Sequence, residues 1–62
     1  MDKQNIKLTE KRLLNMTEFQ AYTSVGRNSA MKLAHESGTE VRIGRRVLVD
    51  RVKFDEWCDQ YL

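Results

Sequence analysis

Small and apolar side chains recur with helical spacing between two glycines in the middle of the chain, over residues 26–38. Projected at about 100° per residue, one narrow side of this stretch carries Ala30, Leu33, Ala34 and Ser37. The opposite side and its edge carry Asn28, Lys32, His35, Met31 and Arg27. A glycine after such a run is typical of the left-handed residue that ends a helix. The pattern predicts an amphipathic helix with one side on the core and the other toward solvent.

A shorter helix is predicted before this one. Thr17 and Gln20 have the spacing of a capping box, in which each side chain bonds to the other residue's amide. We therefore expect a helix over about residues 18–23, with Phe19 toward the core. In the turn that follows, Gly26 either caps the next helix or takes a positive φ. Two short helices joined in this way are typical of a helix-turn-helix.

The pattern changes after the second helix, where β-branched residues alternate with polar ones and predict a hairpin. Its register follows from placing the apolar side chains on the core face. Ile43 is then opposite Val47 and Val41 is opposite Val49, and residues 44–46 form the loop. A two-residue loop would instead place an arginine beside an isoleucine on the buried face.

The chain ends with a third predicted helix. Asp50 is a favourable N-cap residue for a helix over about residues 51–60. One side of this helix carries Phe54, Trp57, Cys58 and Tyr61. These side chains follow the i, i+3, i+4, i+7 spacing, and we expect them to close the core, with Trp57 and Cys58 buried.

Together these elements predict an α+β fold, a small winged helix-turn-helix. It consists of a two-helix helix-turn-helix, a β-hairpin wing and a C-terminal helix, with residues 12–15 as a candidate third short strand. We assign residues 1–11 to a flexible basic arm, because they show no sustained period. Residues 12–62 form the winged helix-turn-helix domain.

Charge is distributed unevenly along the chain. Its 62 residues include 11 Lys and Arg against 9 Asp and Glu. Most of the bases lie in residues 26–53, whereas residues 54–62 hold acids and no base. A basic middle favours a polyanionic partner. A domain of this size has little material for a catalytic cavity, so we expect no enzymatic activity.

Cysteine and histidine usage limits the chemistry further. Cys58 is the only cysteine and His35 the only histidine, so the sequence predicts no internal disulfide, no metal site and no cofactor. No apolar run approaches the ~18 residues of a membrane span, and residues 1–12 are too polar for a signal peptide. We therefore expect a cytoplasmic protein without a membrane partner.

Two groups of side chains are candidates for contact with double-stranded DNA. On the second helix, polar and basic groups suit base edges and phosphates in the major groove: Arg27, Asn28, Met31, Lys32 and His35. On the hairpin, guanidinium groups suit the phosphate backbone or a narrow minor groove: Arg42 on the outer face, and Arg45 and Arg46 at the tip. Alternatives remain, since Lys32 and His35 also suit solvated positions near a helix C-terminus, and arginines also solubilise loops.

Several short motifs follow one another in a characteristic order. They are MTEFQAY (residues 16–22), VGR (25–27), KLA (32–34) and VRIGRRVLVD (41–50), before an aromatic last helix. In this order the chain resembles the excisionase-type, MerR-like winged helix-turn-helix family. The resemblance implies that the second helix enters the major groove and that the wing contacts the adjacent backbone or minor groove, through the eight positions given above. Met31 departs from the family pattern, where polar or aromatic residues are common, so we assign it only an apolar contact with a thymine methyl.

The resemblance also implies a function. Excisionases are small bacterial proteins of phages and integrative elements that bend specific DNA sites and direct a tyrosine recombinase toward excision. The implied partners are duplex DNA, a tyrosine integrase and further copies of the protein on adjacent sites. MerR-type regulators continue into a dimerisation helix, and we expect none here because the predicted domain takes up residues 12–62. Two alternatives use the same surface: a stand-alone transcription regulator, and a module whose basic face binds an acidic protein.

Overall fold

Three α-helices and a three-stranded antiparallel sheet make up the part of the chain that the computed structural model describes, residues 7–61. The elements in chain order are a 3₁₀ turn at Leu8–Glu10, β1 at Leu13–Leu14, α1 at Met16–Thr23, α2 at Arg27–Ser37, β2 at Glu40–Ile43, β3 at Arg46–Asp50 and α3 at Arg51–Tyr61. The predicted α+β class is confirmed, and the arrangement is compatible with a winged helix. Residues 1–6 of the predicted arm lie outside the described residues, and Leu8 packs against the core.

The predicted second helix, α2, is confirmed with both of its glycine boundaries. Gly26 is the N-cap and has an extended backbone, with φ −71°. Gly38 ends the helix in the left-handed region, with φ 69°. The left-handed residue of the turn between α1 and α2 is Ser24, with φ 61°. Of the two roles considered for Gly26, the structure therefore shows the cap.

The predicted capping box of the first helix is wrong. α1 begins two residues earlier than expected, and Asn15 is its N-cap. The Asn15 side chain accepts a hydrogen bond from the Glu18 amide at 2.8 Å, and Glu18 Oε1 accepts one from the Asn15 amide at 2.9 Å. Thr17 and Gln20 consequently lie inside the helix. Asn and Thr are both favourable N-caps, and here the preceding strand decides, because the buried Leu14 fixes where the helix begins.

The sheet has the order β1-β3-β2, so β3 is its central strand. Leu13 pairs with Asp50 and Leu14 with Val49, which confirms the candidate strand near residues 12–15. Leu14 and Val49 are opposite each other and both are fully buried. Because paired residues share a face of an antiparallel sheet, this is the face that lies against the helices.

The predicted register of the hairpin is wrong by one residue. Ile43 pairs with Arg46 and Val41 with Leu48, and the loop is the two-residue segment 44–45. Gly44 takes the positive φ of +60° at the first central position, as in a type II′ turn. All residues from 42 to 46 are exposed, so the end of the hairpin extends beyond the core and Ile43 need not be buried. An arginine beside Ile43 therefore faces solvent.

The core lies between the sheet and the three helices. Its buried side chains are Leu14, Phe19, Ala30, Ala34, Val49 and Phe54. Phe19 of α1 and Phe54 of α3 meet edge to face, with ring centroids 4.8 Å apart. Such aromatic pairs contribute beyond their buried area, so this contact ties the first helix to the last.

The outer half of α3 is less buried than predicted. Trp57 and Cys58 are half-buried at the edge of the core, and Tyr61 is 67% exposed, so the predicted burial of Tyr61 is wrong. Aromatic contacts continue outward from Phe54. Phe54 stacks on Trp57 with ring centroids 5.9 Å apart, and Trp57 meets Tyr61 in a tilted arrangement at 5.6 Å. The spacing of apolar residues in α3 thus continues one turn beyond the part of the helix that packs against the core.

Candidate nucleic-acid interface

The two sides of α2 differ as predicted. Ala30 and Ala34 are fully buried, and their short side chains let the helix backbone lie close to the core. All five candidate contact residues of this helix are exposed: Arg27, Asn28, Met31, Lys32 and His35. The side of α2 that faces away from the core therefore presents hydrogen-bonding and cationic groups to solvent.

The first turn of α2 is open to an anionic ligand. Gly26 has no side chain with which to cap the helix, and the first turn contains no acidic residue. The amides at a helix N-terminus lack intrahelical acceptors and carry partial positive charge. Ser29 is also exposed in this turn, beside Asn28. Ser29 is not among the residues predicted from the sequence, although a small hydroxyl in the first turn of a candidate recognition helix indicates a contact residue.

His35 lies near the other end of α2 and approaches the sheet. Its Nδ1 is 3.8 Å from Oε1 of Glu40 at the start of β2, while 83% of its side chain remains exposed. A protonated His35 therefore has a carboxylate beside it. Among the five candidates on α2, this is the one with an acidic neighbour within ion-pair distance among the described residues.

The three hairpin arginines are exposed but occupy different faces. Arg42 pairs with Val47, which shares its face of the sheet with the buried Val49, so the predicted placement of Arg42 on the outer face is wrong. The shift of register by one residue explains this correction. Arg46 is on the opposite face, and Arg45 lies in the loop. The end of the hairpin thus presents guanidinium groups on both faces and at the tip.

Three basic residues elsewhere in the fold form ion pairs with carboxylates, whereas Lys7 and Lys53 form none with the described residues. Arg12 binds Asp50 through Nε and Nη2 at 3.1–3.3 Å. Lys11 pairs with Glu18, and Arg51 pairs with Asp55 at 2.9 Å. In contrast, no carboxylate of the described residues lies within ion-pair distance of the five cations on α2 and the hairpin: Arg27, Lys32, Arg42, Arg45 and Arg46. Within residues 7–61, Lys11, Arg12 and Arg51 are therefore held in ion pairs, whereas the five cations of α2 and the hairpin are not.

The ion pairs lower the pKa values of the acids Asp50 and Glu18. Burial acts to raise the pKa of Asp50, but hydrogen bonds from Arg12 and from the Lys53 amide outweigh it and hold that pKa below its ordinary value. The Lys53 amide lies 3.2 Å from Asp50 Oδ1, which confirms the predicted N-cap of α3. Glu18 also has a lowered pKa, since hydrogen bonds from Lys11 and the Asn15 amide outweigh burial, with a smaller contribution from the charge of Arg46.

A cleft of about 500 Å³ opens between the three helices. Its lining is largely apolar and includes Val25, Leu33 and Cys58. Asp55 also lines the cleft, but its two oxygens accept hydrogen bonds from Tyr22 at 2.6 Å and Arg51 at 2.9 Å. Burial, together with the negative charges of Asp55 and Asp59, raises the pKa of the Cys58 thiol.

Two further properties concern only residues 7–61. None of the helices there combines the length and the apolar character needed to cross a bilayer. No group of three or more histidine, cysteine or acidic side chains in this part of the chain is placed to hold a metal ion.

Residues 11–61 match DUF6462, a family of unknown function. The match covers most of the chain, which therefore belongs to this family. A comparison with curated proteins and one with solved structures each gave no significant match.

Proposed function

We propose that this chain binds double-stranded DNA, with α2 in the major groove and the β2–β3 hairpin on the neighbouring backbone or minor groove. The observation that carries the proposal is the division of the cations. Five exposed cations on α2 and the hairpin lack a carboxylate partner among the described residues, whereas Lys11, Arg12 and Arg51 are paired. Unpaired cations on adjoining elements are the groups that phosphates neutralise on binding, with release of counterions.

The groups on α2 also suit base recognition. Asn28 lies in the first turn, and an amide there can form a bidentate contact with adenine. Lys32 follows one turn later on the same exposed side and suits a guanine edge or a phosphate. The uncapped amides after Gly26 suit a phosphate oxygen. This combination of positioning and base-contacting groups supports sequence-specific binding.

The acidic side of α3 supports one docking direction. Glu56 and Asp59 are exposed on this helix, and the phosphate backbone would repel both carboxylates. If α3 lies on the side of the protein away from the duplex, docking through α2 and the hairpin avoids this repulsion. Replacement of Glu56 and Asp59 by lysine would then raise affinity only slightly, through long-range attraction.

The test of DNA binding is fluorescence anisotropy with a labelled duplex over a series of salt concentrations, beside poly-glutamate as an acidic polypeptide. We expect binding to duplex DNA that weakens steeply with salt. Binding to poly-glutamate without binding to any duplex would contradict the proposal. That result would favour a module that recognises acidic proteins.

Within DNA binding, we propose the role of an excisionase that directs a tyrosine recombinase. The support is the resemblance carried by residues 41–50, together with guanidinium groups on both faces of the hairpin, which suit a bent duplex. The test combines a circularly permuted duplex, which reports bending, with excision of a donor plasmid by a tyrosine integrase from the same genome. Specific binding that represses a promoter without bending or excision would favour a transcription regulator.

A further inference from the structure

The outer edge of β2 has no strand beside it in residues 7–61, since β3 is central and β1 pairs on the far side. Its backbone polarity is fixed by the hairpin. The Asp50 amide donates to the Thr39 carbonyl at 2.9 Å, and hydrogen-bonded positions alternate along an antiparallel pair. The odd-numbered residues of β2 therefore direct their backbone groups toward β3. Glu40 and Arg42 direct theirs outward.

This alternation restricts how the edge can pair with a second copy of itself. Outward groups meet outward groups only if the two-fold axis passes through a residue of β2. An axis at Ile43 places no other β2 residue opposite β2 of the second copy, which leaves Glu40, Val41 and Arg42. An axis at Glu40 places two glutamates opposite each other, and an axis at Arg42 places two arginines opposite each other. Like charges in directly opposed positions destabilise a sheet. Only the axis at Val41 places each Glu40 opposite an Arg42 of the other copy.

The same register also matches shape. Ile43 is 52% exposed, and a hollow of about 240 Å³ lies at the start of β2, lined in part by Thr39, Val41 and Lys53. With the axis at Val41, Ile43 of one copy lies opposite Thr39 of the other. The exposed isoleucine then falls beside the hollow on the same face of the sheet, because residues 39, 41 and 43 alternate with the charged pair.

We infer that β2 is a self-pairing edge, through which two copies of this chain join their three-stranded sheets into one continuous sheet centred on Val41. Backbone hydrogen bonds supply the attraction, and the two Glu40 to Arg42 pairs select the register. Four residues bury much less than the ~1,200 Å² of a stable complex. The association is therefore weak in free solution and is populated at high protein concentration.

Charge exchange tests the register. Sedimentation equilibrium without DNA gives the dimer dissociation constant of the native chain, of E40R, of R42E and of the double variant E40R/R42E, with circular dichroism to check folding. Each single exchange creates two like-charged pairs, so we expect roughly tenfold weaker association. The double variant restores opposite charges and should associate as the native chain does. Single variants that associate normally, or a double variant that is not restored, would overturn the inference.

Cysteine cross-linking gives an independent geometric test. In the C58S background, V41C should form a disulfide-linked dimer under mild oxidation, since a non-hydrogen-bonded antiparallel pair has Cα atoms about 4.5 Å apart. I43C in the same background is the matched control, because its opposite residue is Thr39 rather than itself. Equal cross-linking of both variants would contradict the Val41-centred register. Neither test uses DNA, so failure here and failure of DNA binding are distinguishable.

Discussion

Replacing Arg45 and Arg46 together with alanine should lower the affinity for every duplex and flatten its salt dependence. The five cations of α2 and the hairpin, which have no carboxylate partner within residues 7–61, imply a slope of about −4.5 in log K against log salt, at ~0.9 per phosphate. Removal of two of them leaves about −2.7. Between 50 and 200 mM salt, the native protein should then lose roughly 500-fold in affinity and the variant only about 40-fold. The difference should be the same for specific and scrambled duplexes, because phosphate contacts carry no sequence information.

The assay is anisotropy of labelled specific and scrambled duplexes at four or more salt concentrations. Arg12→Ala is the matched control, because the Arg12 side chain is 62% exposed while its guanidinium is bound to Asp50. A paired cation releases few counterions, so this variant should keep the native slope. A slope that falls equally with Arg12→Ala would refute the distinction between paired and unpaired cations. Loss of sequence preference in the hairpin variant would make the hairpin the element that recognises bases.

Three further predictions concern specificity, packing and acid stability. Asn28→Ala should lose ~1–3 kcal/mol of discrimination at particular base pairs while non-specific binding persists, measured with single-substitution duplexes. Phe54→Ala should cost about 3–5 kcal/mol in urea unfolding, and Trp57→Ala less, because Trp57 is only half-buried; equal losses would contradict the packing described. The pKa of Asp50 in the folded chain lies below its ordinary value of ~3.9. Ionised Asp50 therefore stabilises the fold at pH values above ~3.9, and this stabilisation is lost as the pH falls through the lower pKa of the folded state. Asp50→Asn keeps a cap but has no carboxyl group to protonate. Its free energy of unfolding should therefore fall less between pH 5 and 2 than that of the native chain.

Local sequence signals were sufficient to predict the structure where a pattern is compatible with a single arrangement. The period of α2 and its two flanking glycines predicted both ends of the helix and both of its sides. Asp50 was correctly predicted to cap α3, since a strand ended there and a helical spacing began. All eight candidate contact residues are exposed, although Arg42 lies on the other face of the hairpin from the one predicted.

The sequence was insufficient where tertiary contacts choose between equivalent local solutions. Asn15 and Thr17 are both good caps, and the burial of Leu14 in the sheet decides between them. Apolar spacing in α3 continues to Tyr61, although the packed surface ends earlier. The partner of Arg12 lies 38 positions away, so no local pattern indicates that this cation is paired. Which cations are available to a ligand is therefore a property of the fold.

The register of the hairpin depends on both local signals and tertiary contacts, and it decides where the arginines of the candidate site lie. A sequence pattern treats every β-branched residue as a core residue, which led to a three-residue loop. In the structure only Val49 of the hairpin is fully buried, while Ile43 and Arg46 pair in solvent. A hairpin that buried all its apolar residues would keep its tip close to the core and would place its arginines on one face. The exposed pairing separates Arg42 from Arg46 across the two faces of the hairpin.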